Sequence, residues 1–302
     1  MRLPPYAGPL ERLWHYTFLA ICGLVFVFLI APILIIIPLS FNAQPFFTFT
    51  PEMLALEAEG YSLRWYADIF TNGMVAPEAP FGWAWLADMW THAQWIRSLR
   101  NSVFIGFCST LLATVLGTIA ALGLARSEMP YRTLIMSLLI SPMIVPLVIT
   151  AASMFFFFSA LNLTQTYLGI ILAHTVLGTP FVIITVTATL VGFDKTLIRA
   201  GASLGAHPRV VFFKIIMPLI LPGVIAGALF AFITSFDEVV AVLFLAGPEQ
   251  RTIPRQMWSG IREQISPTIL AVATILVFIS IALLTTLELL RRRGERLRGL
   301  AP

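Results

Sequence analysis

Charge is what this sequence has least of. Only 11% of its 302 residues are Asp, Glu, Lys or Arg, while 58% are apolar. A soluble domain is about 25% charged and about 45–50% apolar. Mean hydropathy is +0.89. So few charges cannot cover a soluble surface of this size, which excludes a soluble enzyme, a DNA-binding domain and a disordered chain. Cysteine is scarce as well. Cys22 and Cys108 each sit inside an apolar run, so no disulfide framework or zinc spacing arises, and both read as small buried hydrophobes. No Gly-x-x-x-x-Gly-Lys-Ser/Thr loop is present to cradle ATP. His-Glu-x-x-His and Gly-x-Ser-x-Gly are missing too, which leaves no metalloprotease or serine-hydrolase constellation and no metal site. His15, His92, His174 and His207 stand apart from one another, and His174, within an apolar run, reads as a hydrogen-bonded structural histidine.

What the chain has in quantity is long apolar runs. Six appear, at about 16–41, 103–125, 133–158, 167–190, 215–246 and 268–290. Each reaches the roughly 20 residues that carry a helix across about 30 Å of hydrocarbon. The expectation is an all-α, polytopic membrane protein of six transmembrane helices in a single domain over 1–302. The first run is far longer than the core of a signal peptide and holds Pro32 and Pro38, so it reads as a retained span. Pro142, Pro146, Pro180 and Pro222 fall inside later runs, where each removes a helix hydrogen bond and permits a kink.

The net charge of +4 is not a nucleic-acid signature, because the nineteen basic residues are scattered between spans. They are distributed unevenly. With both termini placed inside, the inner loops and ends hold Arg2, Arg12, Arg126, Arg132, Lys195, Arg199, Arg209, Lys214 and the arginines at 291–293, 296 and 298. The outer side keeps Arg64, Arg97, Arg100, Arg251, Arg255 and Arg262. This is the positive-inside bias. The 291–293 cluster reads as an anchor at anionic lipid headgroups. The longest outer segment, 42–102, carries Trp65, Tyr66, Trp83, Trp85, Trp90 and Trp95. A short helix around 83–95 lying on the membrane surface is expected there, with a dock for an outer partner as the other reading.

Between the fourth and fifth runs lies a loop of about two dozen residues, 191–214, on the inner side. It has helical potential on both sides of Gly205, and Ala200, Gly201, Ala202 and Gly205 would let another surface approach the backbone. A helix–turn–helix knob fits this pattern, as does an amphipathic helix on the membrane surface.

Asp237 and Glu238 interrupt the fifth run. An ionisable side chain in a span costs on the order of 2.5–3.5 kcal/mol at mid-depth. On a straight helix they would lie roughly 28 Å beyond Pro218 and about 100° apart. Asp237 is expected to face a translocation path or a partner subunit, with Glu238 to one side; pairing with Arg100 or Arg251 is the structural alternative. A cationic solute would give the acids a reason, with Phe230, Phe232, Phe236 and Phe244 close in sequence. A proton relay in a secondary transporter is the rival reading.

The segment Arg199-Ala200-Gly201-x-x-x-Gly205, followed after nine residues by Ile215-x-Met217-Pro218, resembles the coupling loop of ABC importer permeases, Glu-Ala-Ala-x-x-x-Gly then Ile-x-Leu-Pro. Arg199 stands where that family has glutamate, a reversal of charge, and Gly201 and Met217 replace alanine and leucine. Ser40-Phe41-Asn42, Trp65-Tyr66, Ser141-Pro142, the run Ser235 to Val240, Gly247-Pro248, Ile265-Ser266-Pro267 and Ala271-x-Ala273-Thr274 resemble the polyamine (spermidine/putrescine) subfamily. The resemblance implies a type I ABC importer permease fold in a bacterial inner membrane. It also implies a second related permease, two ATP-binding subunits that hold ATP and Mg, and a periplasmic solute-binding protein. The chain itself would be no enzyme. Related importers carry thiamine, iron, phosphonates, opines and amino-acid derivatives, so the substrate could lie among these.

Overall fold

The computed structural model describes residues 8–126, 128–191, 196–263 and 266–297. The elements are α1 (Pro9–Leu39), α2 (Pro51–Leu54), α3 (Arg64–Thr71), α4 (Trp83–His92), α5 (Gln94–Leu124), α6 (Arg132–Ile144), α7 (Leu147–Ala160), α8 (Tyr167–Val191), α9 (Thr196–Ser203), α10 (Pro208–Val211), a π-helical turn (Phe212–Ile216), α11 (Met217–Phe236), α12 (Val240–Leu245), α13 (Ile253–Glu263) and α14 (Thr268–Leu297). The only β-type contact among the described residues is an isolated bridge between Asn42 and Tyr61.

Among the described residues, four helices are long and apolar enough to cross a membrane: α1, α5, α8 and the stretch Pro208–Phe236; the α6–α7 pair makes a fifth if counted as one span. The sixth expected run lies in α14, whose described apolar part, Thr268–Ala282, is shorter than a full crossing. Two of the expected straight spans are interrupted. The third is bent by 101° between α6 and α7. Val145 precedes Pro146 and is extended, with ψ of 135°, because the proline ring disfavours the helical region for its predecessor. Pro142 leaves α6 intact: it cannot supply the N–H that Leu138 O would receive, and the Ser141 hydroxyl donates to that carbonyl at 2.7 Å instead. Pro180 and Pro222 likewise lie inside continuous helices. The fifth run ends as α11 at Phe236 and resumes as α12 only at Val240.

The chain forms two compact units, residues 1–72 with 260–302, and residues 73–259. In the first, α1 is buried only at Leu39 and shows apolar side chains along the rest of its length. The segment after it is ordered by polar contacts. Trp65 Nε1 donates to Asn42 O at 2.7 Å, the Ser40 and Tyr66 hydroxyls meet at 2.7 Å, and Asn42 Nδ2 donates to Phe46 O and Thr48 O. The Thr268 hydroxyl donates to Asp68 at 2.6 Å, which ties α14 to α3.

The second unit is built on α5, α8 and α11 packed through small residues. A Cβ at Gly117 would stand 2.7 Å from Val182 Cβ, and one at Gly227 would stand 2.8 Å from Val182 Cα. Without a hydrophobic drive between helices in lipid, such close backbone approach is the main source of packing energy. Both cysteines are free thiols. Cys22 is exposed and Cys108 half-buried, so the expected burial is wrong for Cys22, which sits on the apolar surface of α1.

Candidate functional site

Of the 191–214 segment, residues 196–214 fold as helix–turn–helix, and 192–195, with Lys195, lie outside the described residues. α9 ends in a Schellman motif. The Ala206 N–H bonds back to Gly201 O at 3.1 Å and the Gly205 N–H to Ala202 O at 3.0 Å, with Gly205 at φ +74°. That left-handed position is the one glycine fills without strain. A Cβ at Gly205 would meet nothing within 4 Å, so the constraint on Gly205 within this chain is its backbone angle.

Crowding falls on Gly201 instead. It is buried, and its Cβ would stand 2.9 Å from Ile215 Cδ1 and 3.4 Å from Val211 Cγ2. Gly201 therefore seats α9 on the π turn. Met217 N–H reaches back five residues to Phe212 O, and Pro218, with no N–H to place, follows directly. The wide turn sits where the helical ladder lacks a donor in any case. Arg199, Ala200 and Ala202 are exposed, as are Leu204, Val210 and Phe213. The loop thus shows exposed apolar side chains together with three exposed cations, Arg199, Arg209 and Lys214.

Asp237 and Glu238 occupy the break between α11 and α12, not the middle of a helix. Asp237 closes α11, its N–H bonding Ile233 O at 3.0 Å, and its side chain is exposed. Glu238 is 7% exposed and accepts the Ala241 N–H at 2.8 Å, satisfying a donor at the start of α12. The expected placing of both acids on one helix, about 100° apart, fails for this reason, while Asp237 still lies at the end of a continuous helix that begins at Met217. The structural alternative fails as well: Arg100 donates to Trp90 O and Arg251 to Gln256 Oε1. The ion pairs among the described residues are Asp88–His92 and Arg97–Glu249. Of the nearby aromatics, Phe232 stacks on Phe236, and Phe230 on Phe181. One turn before the break, the Ser235 hydroxyl contacts His174 Nδ1 at 2.7 Å and receives the Ser109 hydroxyl at 3.0 Å, which joins α5, α8 and α11 through a buried polar chain.

Sequence reasoning missed the clamp on the far side of α12. Asn101, 2% exposed, donates to Glu249 O at 2.8 Å and Arg251 O at 2.9 Å and accepts the Tyr167 hydroxyl at 2.9 Å. Ser102 accepts the Ile253 N–H, and Arg255 donates to Ala246 O and Gly247 O. The segment from α12 to α13 is thus fixed to the first turns of α5 and α8, while its other end is the break at 237–239. The available signal was an asparagine at the edge of an apolar run, a residue poorly suited to a helix interior unless its amide is engaged. Asn101→Asp keeps the shape and removes both donors. With about 1–3 kcal/mol lost per buried unsatisfied group, the purified complex should melt several degrees lower in a thermal-shift measurement. Tyr167→Phe, which removes one hydroxyl, should shift it less.

A family model described as the binding-protein-dependent transport system inner membrane component matches residues 113–296. The chain belongs to this family. The spermidine/putrescine transport system permease protein PotC of Haemophilus influenzae is 28% identical over 271 residues, 90% of this chain and 95% of its own. The putrescine transport system permease protein PotI of Escherichia coli K12 is 30% identical over 258 residues, 83% and 82% of the two chains. A chain of a bacterial ABC transporter involved in import of the acidic polysaccharide alginate superposes with a TM-score of 0.64 at 14% identity, covering 96% of this chain and 99% of its own. A chain of the MetNI methionine ABC transporter gives 0.51 at 19%, covering 69% and 97%. These two likenesses establish the fold alone. The chain is a multi-pass inner-membrane permease subunit of an ABC importer, and it is not an enzyme. It works with a second permease, ATPase subunits and a solute-binding protein.

Proposed function

We propose that this permease passes a small polycationic solute of the spermidine/putrescine class. The observation that carries the reading is Asp237, an exposed carboxylate at the end of a membrane-spanning helix, in no ion pair among the described residues. The names of PotC and PotI point to the same solutes. A carboxylate next to the carbonyl end of a half-helix suits an ammonium group. The test is uptake of labelled putrescine into proteoliposomes holding the whole complex, with spermidine, thiamine, an opine and a phosphonate as competitors. Displacement by thiamine, the opine or the phosphonate, and not by spermidine, would defeat this reading.

Two ATP-binding subunits hold ATP and Mg, and one receives the loop around Gly205. Arg199, Ala200, Ala202 and Gly205 form the docking surface, while Gly201, Ile215 and Pro218 hold its shape. Both units of the chain act as one permease domain over 1–302. The termini and the Gly205 loop face the cytoplasm and 42–102 faces the periplasm, in keeping with the distribution of basic residues. Single cysteines placed at Leu204 and at Glu78, both exposed, in a chain lacking Cys22 and Cys108, should react with a membrane-impermeant maleimide from opposite sides. Labelling from the same side would reject this topology.

A further inference from the structure

α4 is amphipathic the wrong way round for a helix in water. Its acid points inward: Asp88 accepts the N–H groups of Val75 and Ala76 at 2.9–3.2 Å and contacts His92 at 2.7 Å. The Ala76 N–H above all holds that carboxyl below its ordinary range. The outward face carries Trp83, Ala87 and Trp90, and Phe81 precedes it; Trp83 is 88% exposed. Two exposed tryptophans on one helical face are costly in water and favoured at a membrane–water boundary.

Two further observations say what covers this face. The first is depth. α4 ends at His92 and α5 begins at Gln94, with Ala93 between them fully buried. α5 has 31 residues, hence a length of about 46 Å at 1.5 Å per residue. That matches a whole bilayer with both headgroup layers, about 40–45 Å, so the α4 end of α5 lies at headgroup level. Tyr167, at the start of α8, bonds Asn101 near the start of α5, and α8 runs from there toward the Gly205 loop. The α4 end is therefore the end away from that loop. The second observation is continuity. The Arg100 guanidinium lies over the Trp90 ring, 5.1 Å from its centroid, and donates to Trp90 O. Arg100 shares a helical face with Val103, Phe104 and Phe107, all exposed apolar residues of a membrane-spanning helix. The tryptophan face of α4 is thus an extension of the bilayer-facing surface of α5.

We infer that α4 lies in the headgroup layer of the leaflet away from the Gly205 loop, its Trp83 and Trp90 rings among phospholipids and Arg100 paired with a lipid phosphate. Arg100 has no carboxylate partner among the described ion pairs, and a guanidinium suits phosphate geometry.

The test is fluorescence of the complete complex in nanodiscs containing phospholipids brominated either just below the carbonyls or near the chain ends. Trp83→Phe and Trp90→Phe isolate the emission of the two rings, and Trp85→Phe, on the half-buried side, serves as control. The emission lost in the two α4 variants should be quenched by shallow bromines roughly twofold more than by deep ones, as rings at the interface require. In brominated phosphatidylglycerol compared with brominated phosphatidylcholine, Arg100→Gln should abolish any preference for the anionic lipid. Quenching by aqueous acrylamide and not by any brominated lipid would overturn the inference. So would emission insensitive to lipid that shifts when the solute-binding protein is added, which would make this face a protein dock. Quenching with no loss of anionic-lipid preference in Arg100→Gln would overturn the phosphate pairing.

Discussion

Gly205→Leu is expected to lower solute uptake at least tenfold while the chain still inserts and assembles with its partners. Gly205 sits at φ +74° in the Schellman turn that closes α9. A non-glycine residue held in the left-handed region costs roughly 1–2 kcal/mol, and a turn exposed on a short loop can escape that cost by unwinding. Unwinding frees the Gly201 and Ala202 carbonyls and moves Leu204 and Arg199, which the proposed ATPase contact uses. Gly205→Asn separates two causes. Asparagine tolerates the left-handed conformation, so if the backbone angle is the whole constraint, Asn should keep most of the uptake. If the ATPase needs bare backbone at this position, Asn should fail along with Leu, because nothing in this chain fills the space beside Gly205. The measurement pairs uptake with ATP hydrolysis in the reconstituted complex. Normal uptake by Gly205→Leu would reject the docking role of the loop.

The loop was legible in sequence because its shape depends on residue types with strong local preferences. Glycine at the end of α9 admits the left-handed turn that other residues resist, and proline at the start of α10 and proline after the π turn each permit few conformations. The apolar runs were legible for a different reason: length alone brings a helix across the bilayer, and α1, α5 and α8 followed it. The two interruptions were harder to place. Pro142 and Pro146 look equally disruptive in sequence, yet only Pro146 bends the chain, because Ser141 repairs the gap left by Pro142. The break at 237–239 has no proline or glycine to announce it. It is made by the Glu238 carboxylate serving the Ala241 N–H, a choice that apolar periodicity through Val239 and Val240 conceals. The Asn101 clamp was invisible because its partners lie about 150 residues away in sequence and are backbone carbonyls, which carry no side-chain signature.

The break also changes what the two adjacent acids should do when neutralised. Asp237→Asn removes a charge that no described ion pair uses, so the fold has little reason to respond. The solute does, if it is a cation. A charge pair at about 4 Å is worth roughly 1 kcal/mol in water and about 4 kcal/mol at the effective dielectric of a protein surface. Putrescine uptake should therefore fall about tenfold or more, with recovery of the complex and basal ATP hydrolysis retained. Glu238 should behave in the opposite way. Glu238→Gln keeps an oxygen for the Ala241 N–H and should be mild, whereas Glu238→Ala strips that donor of its acceptor. A lost cap costs about 1 kcal/mol, and this one should appear as lower yield and thermal stability of the complex, not as weaker discrimination for cations. A proton relay would give a third pattern, with uptake that collapses when the pH gradient is dissipated and ignores ATP. Unchanged putrescine uptake by Asp237→Asn would remove this carboxylate from the solute path. A fall in uptake of cationic and neutral solutes alike would show that Asp237 shapes the break without recognising charge.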